Sequence, residues 1–444
     1  MNPRGYGDMA MGRDSVPADR FSRRRALRLA GGGLTLAVLA VGAAGCREDG
    51  SEVGGSGVGG SGGSGDGASG GNKATTGGAG KDGAGKDGAG KDGAGKDGQA
   101  PEPLWTKTTS ALTYGDNDEL VAAGGVVIAS GEPLAALNAT SGKEQWSLKD
   151  GAVPGAPMLL GKGTLYLASA GYDGTVAGYD PASGKETWRS HLGKEYRQPR
   201  PIAADDEQLY VVAEILEADG SSRTNVIAAL NSTTGRLAWK EQRDLGTEEN
   251  GIHAQVQGRH LVYTDFKKNL TVRDTATGKQ VWTHRTTKTN YGFFAVYKDL
   301  VIVPQGPKLQ AFSLADGSAK WSVETAESYV AFKEPAVLDD VLYIADSDRT
   351  LRALDPRTGK KIWQSDSLAD AKLTVPRQYV KAGGLLYAAT ALDEQGGVIA
   401  IDPKTGAVRW TFNDKSGDYH AWLVATDGKH VFALHGTKLH ALPV

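Results

Sequence analysis

The chain has 444 residues, with 50 Lys and Arg against 52 Asp and Glu, 62 Gly, nine Trp and a single Cys. At 39% apolar and 23% charged it has the composition of a globular fold and not of a membrane bundle. One Cys excludes an internal disulfide framework and any CxxC metal or redox site, and the balanced charge argues against nucleic acid as a partner.

Residues 1–45 carry seven Arg against three acids. In them Ser22-Arg23-Arg24-Arg25-Ala26-Leu27-Arg28 precedes the weakly apolar run Leu29 to Gly45, which ends at Cys46. A basic start, a short apolar stretch and small residues before a cut site predict a secretory signal, and the run is too short and Gly-rich for a transmembrane helix. The Arg23-Arg24 pair with Leu27 resembles the twin-arginine export signal, with Ala26 where Phe is usual. Ala43-Ala44-Gly45-Cys46 resembles a bacterial lipobox. That resemblance implies a lipid on Cys46 and a mature protein held on the extracytoplasmic face of the cell membrane.

Residues 46–100 are predicted to be a disordered linker. From 47 to 100 there are 22 Gly in 54 positions, first mixed with Ser and then in repeats of Gly-Ala-Gly-Lys-Asp. Such chain loses too much backbone entropy to order without apolar burial, and as a flexible coil it reaches about 40 Å.

From Pro101 to Val444 an internal period appears. Ala136-Leu-Asn-Ala-Thr-Ser-Gly142-Lys-Glu-Gln-Trp146 recurs with Trp188, Trp239, Trp282, Trp321, Trp363 and Trp410, at intervals of 42, 51, 43, 39, 42 and 47 residues. Each copy has Gly four residues before Trp and a first position ten before it, small in all but Val272. Short runs such as Leu165-Tyr-Leu-Ala168 and Leu209-Tyr-Val-Val212 precede the copies, so each period predicts a four-stranded antiparallel sheet. Asn/Asp-x-x-Thr/Ser-Gly is a hairpin turn in which Gly takes positive φ and the Asn/Asp side chain bonds the turn backbone. The Trp after it is expected to lie over the small surface of the next unit's turn. Each docked indole then buries roughly 150–250 Å², enough to cement a ring with little core between its sheets. Trp105 stands 41 residues before Trp146 without a turn, while Thr437 to Val444 has the strand without the Gly-Trp. Each end holds half of an eighth unit, and the N-terminal strand is expected to complete the last blade.

The pattern Ala/Gly-x-Asn/Asp-x-x-Thr/Ser-Gly-Lys-x-x-Trp resembles the tryptophan-docking repeat of eight-bladed pyrroloquinoline quinone (PQQ)-like propellers. The resemblance implies an all-β, eight-bladed propeller over 101–444, but leaves function open. The superfamily holds quinoprotein dehydrogenases, non-enzymatic envelope lipoproteins and sensor domains. The dehydrogenases hold their quinone with calcium, a catalytic Asp, an Arg and a stacking Trp, and many clamp it with adjacent Cys residues. This chain has no Cys after 46, and its acidic pairs Asp116-Asn117-Asp118 and Asp346-Ser347-Asp348 read as surface turn acids rather than a calcium loop. No PQQ, calcium or other metal is expected, and no Ser, Cys or His constellation marks a catalytic residue. His430, His435 and His440 recur every five residues, which strand alternation places on different faces.

Aligning the units places Asp118, Ala156, Arg200, His253, Phe293, Glu334, Arg377 and Trp422 where each innermost strand begins, at the funnel mouth. Tyr196, Arg197, Asn250, Tyr291, Tyr329, Lys333, Tyr419 and His420 lie in the adjoining loops. Positions serving only the fold resemble one another from copy to copy. The strand-entry position differs in every blade but two, and its mixture of charge, His and aromatic groups suits recognition. The sequence therefore points to an exported, lipid-anchored propeller that binds an envelope protein partner as a non-enzymatic module. The alternatives are a sensor with a small ligand in the funnel and a PQQ-dependent oxidoreductase.

Overall fold

The computed structural model describes residues 98–111, 120–149, 151, 158–169, 174–190, 192–193, 195–216, 222–243, 252–264, 269–285, 293–390 and 396–444. The export signal with Arg23 and Arg24, Cys46 and most of the linker lie outside the described residues, as does Asp118.

The described residues form eight four-stranded antiparallel sheets. Blade 1 takes Leu120–Ala123, Val126–Ala129, Leu134–Asn138 and Glu144–Leu148, its strands in sequence order from the inside outward. Blades 2 to 7 repeat the arrangement over 158–189, 196–242, 254–284, 295–324, 336–365 and 376–412. Blade 8 takes Trp422–Thr426, His430–His435 and Lys438–Pro443 from the C-terminal end, and its outer strand is Trp105–Thr108. Trp105 pairs with Ala441 and Thr108 with Lys438, so the two ends of the chain share one sheet. The first strand of blade 1 touches that of blade 8, which closes the ring.

Seven indoles each bond a carbonyl of the next blade's turn. The indole N–H of Trp105 donates to the Ala139 carbonyl (3.0 Å), that of Trp146 to Pro181 (2.9 Å), Trp188 to Ser232 (2.7 Å) and Trp239 to Thr275 (2.7 Å). Trp282 donates to Leu314 (2.8 Å), Trp321 to Pro356 (3.1 Å) and Trp363 to Pro403 (2.8 Å). Every acceptor follows the Asn, Asp or Ser that opens the next blade's turn. At Asn138 the carboxamide oxygen accepts from the Ser141 N–H (2.9 Å), and Asp180 does the same with Ser183 (2.8 Å). The turn Gly is needed twice over. Its φ lies between +65° and +75° in all seven copies, and a Cβ there would stand 2.3–3.0 Å from the docked indole.

Trp410 is the exception. The third and fourth strands of blade 8 come from opposite ends of the sequence, so no turn joins them for Trp410 to cover. Ala100 and Val444 pack against the apolar core of blades 7 and 8 that includes Trp410, and the Gly98 N–H donates to the Arg409 carbonyl (2.6 Å).

One expectation needs correction. The indoles do not hold the ring with little help, because every junction between successive blades has its own apolar core. The middle strands are covered on both faces, so Leu-Tyr-Val-Val runs bury all their side chains where a one-sided sheet would alternate.

The longer intervals also resolve. The 51-residue interval is taken up by strands Gln208–Leu216 and Ser222–Asn231, which extend a hairpin beyond the usual length. The surplus near Ser365 forms a one-turn helix, Ser367–Asp370, whose Leu368 is buried in the core between blades 6 and 7.

Candidate funnel-mouth site

In an antiparallel four-stranded blade, every connection from an outer strand to the next inner strand lies on the same face of the ring. His253, Glu334, Arg377 and Trp422 stand where inner strands begin on that face, while Arg200 is the fifth residue of the longer inner strand Tyr196–Ala204. Two neighbours of the series meet directly: the rings of His253 and Phe293, from blades 4 and 5, lie 4.4 Å apart. Glu334 of blade 6 acts electrostatically on Tyr379 of blade 7. Burial, assisted by the Glu334 charge, pushes the Tyr379 phenol well above its ordinary pKa.

The series is less open than the sequence implied. Arg200, His253 and Arg377 are buried, and Glu334 is half-buried. Arg200 lies between two register shifts, and Arg377 occupies a shift between Pro376 and Gln378. Each irregularity turns a long cationic side chain away from the regular pleat. Trp422 has no exposed surface at all. Its indole stacks on His435 (4.2 Å, 7° between planes), meets Phe412 edge-on (5.9 Å) and faces blade 7 rather than the axis. What the mouth does expose lies in the loops. Tyr329, between blades 5 and 6, is 77% exposed, and Tyr419, between blades 7 and 8, is 63% exposed. Lys333 is exposed beside the first of these. Tyr196, by contrast, is buried, with the Lys240 ammonium 5.3 Å from its ring centroid. Ala156, Asn250, Tyr291 and the side chain of Arg197 lie outside the described residues.

Two further readings change. Asp346 is no surface turn acid: it is buried, forms an ion pair with Arg352, and accepts from the Asp348 (3.0 Å) and Thr350 (3.1 Å) N–H groups. His435 and His440 do not fall on different faces either. Both approach Asp414, at 3.1 and 3.8 Å. Counting parity along one strand fails here because a hairpin at Gly436-Thr437 separates them. His435 pairs with Lys438, which puts His440 on the same face. Nothing in the loop sequence around Asp414 marks it as their partner. Among the described residues no group of three or more His, Cys, Asp and Glu is arranged to hold a metal ion.

The family model for the outer membrane protein assembly factor BamB matches residues 96–214, 131–289, 223–332 and 330–418, most of the propeller. The chain belongs to this family. It is 29% identical over 156 residues to the outer membrane protein assembly factor BamB of Nitrosomonas eutropha, covering 32% of this chain and 37% of that one. It is 24% identical over 218 residues to the polyvinylalcohol dehydrogenase of a Sphingopyxis species, covering 43% of this chain and 31% of that one. The chain thus spans about a third of each of these relatives. In fold it is similar to the crystal structure of BamB from Moraxella catarrhalis, with a TM-score of 0.51 at 14% identity over 77% of this chain and all of that one. Among the described residues no helix is long and apolar enough to cross a membrane.

Proposed function

We propose that this propeller is an exported, lipid-anchored protein-binding module of the cell envelope, without catalytic activity. The observation that carries the reading is the placement of Tyr329 and Tyr419. Both are large amphipathic rings left exposed on the same face, in loops supported by the rigid ring of inner strands. Aromatic side chains of this kind serve as anchors at protein interfaces, because they contribute large contact area with few rotatable bonds. Family membership supports a protein partner, since the matched relative is named as an assembly factor. Cys46 and Arg23-Arg24 support export and anchoring by their sequence context.

Similarity to polyvinylalcohol dehydrogenase makes an oxidoreductase the second reading. It has less support. Trp422, the aromatic that could stack on a quinone, already has one face on His435 and no exposed surface, and Cys46 is the only cysteine.

A photo-crosslinking residue at Tyr329 or Tyr419 in intact cells tests the proposal. It should capture a defined envelope protein, and capture from a second mouth position should fall at least tenfold in the Tyr329→Ala/Tyr419→Ala double variant. Absence of any captured protein, with a ligand-induced melting shift instead, would turn the reading to a sensor. A quinone absorbance band after incubation with cofactor and calcium would turn it to the oxidoreductase.

A further inference from the structure

The junction between blades 7 and 8 differs from an ordinary apolar interface at its funnel end. Along the strand, Val424, Val431, Ala433 and Leu442 supply the apolar layer of blade 8. Trp422, His435 and His440 continue that same face toward the mouth, as the strand pairing requires. Opposite them the outer strand of blade 7 contributes Phe412 and the loop leaving it Asp414.

Asp414 is a carboxylate in a dry place, with a side chain 4% exposed. One oxygen, Oδ1, accepts from the Ser416 N–H (3.1 Å) and lies 3.1 Å from His435 Nδ1. The other, Oδ2, is buried without a hydrogen bond and faces His440 Nε2 at 3.8 Å. The second nitrogen of His440, Nδ1, is 2.9 Å from the Thr106 hydroxyl on the N-terminal strand. The two imidazoles are the only ion-pair partners of Asp414 among the described residues.

The other titratable groups on the surrounding elements leave that assignment intact. Lys107, Lys415, Asp418 and Lys438 are exposed, and His420 meets His435 edge-on with centroids 6.0 Å apart. On blade 7, Lys381 is paired with Asp339 (2.7 Å) and Arg409 with Asp402 (2.6 Å), Arg377 is buried at its register shift, and burial raises the Tyr387 phenol to about 12.

A buried carboxylate without a counter-charge is strongly unfavourable. At Asp346 the counter-charge is the permanent guanidinium of Arg352. At Asp414 only an imidazolium can supply it, and the charge then depends on pH. Neither Nε2 has a hydrogen-bond partner, but His440 alone bridges the two segments: its Nε2 lies 3.8 Å from Asp414 and its Nδ1 2.9 Å from Thr106, whereas the oxygens near His435 Nδ1, on Asp414 and Ser416, belong to one loop.

We propose that Asp414, His435 and His440 form a proton-operated latch on the closing blade. One proton makes His440 an imidazolium that ties blade 7, through Asp414, to the N-terminal strand, through Thr106. Blade 8 is the one blade built from both ends of the chain, so this latch acts where the ring can open. Release of the proton leaves the carboxylate without a counter-charge and loosens the Trp105–Thr108 strand. Protonation closes the latch, and loss of the proton at higher pH relaxes it.

Hydrogen exchange on the purified full-length protein tests this, with rates corrected for intrinsic base catalysis. Amides of 105–108 and 438–442 should exchange about tenfold faster at pH 8.5 than at pH 6.0 in the wild type. His440→Gln, which can keep the hydrogen bonds but not the charge, should show no such change. An identical pH response in both proteins, or none in the wild type, overturns the latch. Should His440→Gln fail to fold, nitrogen-15 spectra of histidine-labelled wild type decide the matter: a His440 ring carrying both protons at pH 6.0 supports the latch, and a singly protonated ring overturns it.

Discussion

Replacing Gly278 with Ala tests the docking principle that builds the ring. Gly278 closes the turn, opened by Asp274, on which Trp239 of the preceding blade rests, with φ at +72° and the indole N–H bonded to the Thr275 carbonyl. A Cβ there would stand 2.4 Å from Cε3 and 2.6 Å from Cζ3 of Trp239. Two costs follow. The left-handed backbone costs a residue with a Cβ roughly 1–2 kcal/mol. Displacing a packed indole adds roughly 1–3 kcal/mol, the range for overfilled cores. Together about 3 kcal/mol of stability should be lost. Gly258, in the first hairpin of the same blade, separates the two terms: its φ is +57°, but nothing lies within 4 Å of a Cβ there. Gly258→Ala should therefore cost only the strain. Equilibrium urea unfolding, with unchanged m-values, gives both numbers. In a Trp239→Ala background the Gly278→Ala cost should shrink to that of Gly258→Ala, because the atoms it overlaps are gone. Equal losses for the two glycine variants in the wild-type background would refute steric docking as the reason for the repeated Gly.

Arg352→Met should destabilise by about 3–5 kcal/mol in chemical denaturation, since it strands the Asp346 carboxylate in the interior, and adding Asp346→Asn should recover part of the loss. Asp414 predicts an acid limb. Burial acts to raise its pKa, but hydrogen bonds from His435 and Ser416 and the nearby His440 imidazole outweigh it and hold the carboxyl well below its ordinary range. A folded-state value below the unfolded one means that this contribution is lost as pH falls below about 4, so Asp414→Asn should flatten the stability profile between about pH 4 and 2. Trp105→Ala should cost about 3 kcal/mol and lower the melting temperature, because it removes both an indole bond and the anchor of the closing strand.

The sequence alone determined the architecture. Eight Trp in register, seven with Gly four residues before them, mark a docking geometry that only small turns can accept, and the two half-units at the ends required a shared blade. Local chemistry sets these features, since turn φ, indole size and strand period are properties of a dozen neighbouring residues. Tertiary structure alone decided which mouth residues are accessible. Arg200 and Arg377 sit at register shifts that no local pattern announces, and Trp422 turned inward because a face of blade 8 needed covering. It also decided the company of Asp414: a loop carboxylate, two histidines across a hairpin and a threonine 334 residues from His440 meet only when the ring closes. Contacts between distant segments depend on how whole blades pack, and strand alternation read along a single segment cannot carry that information.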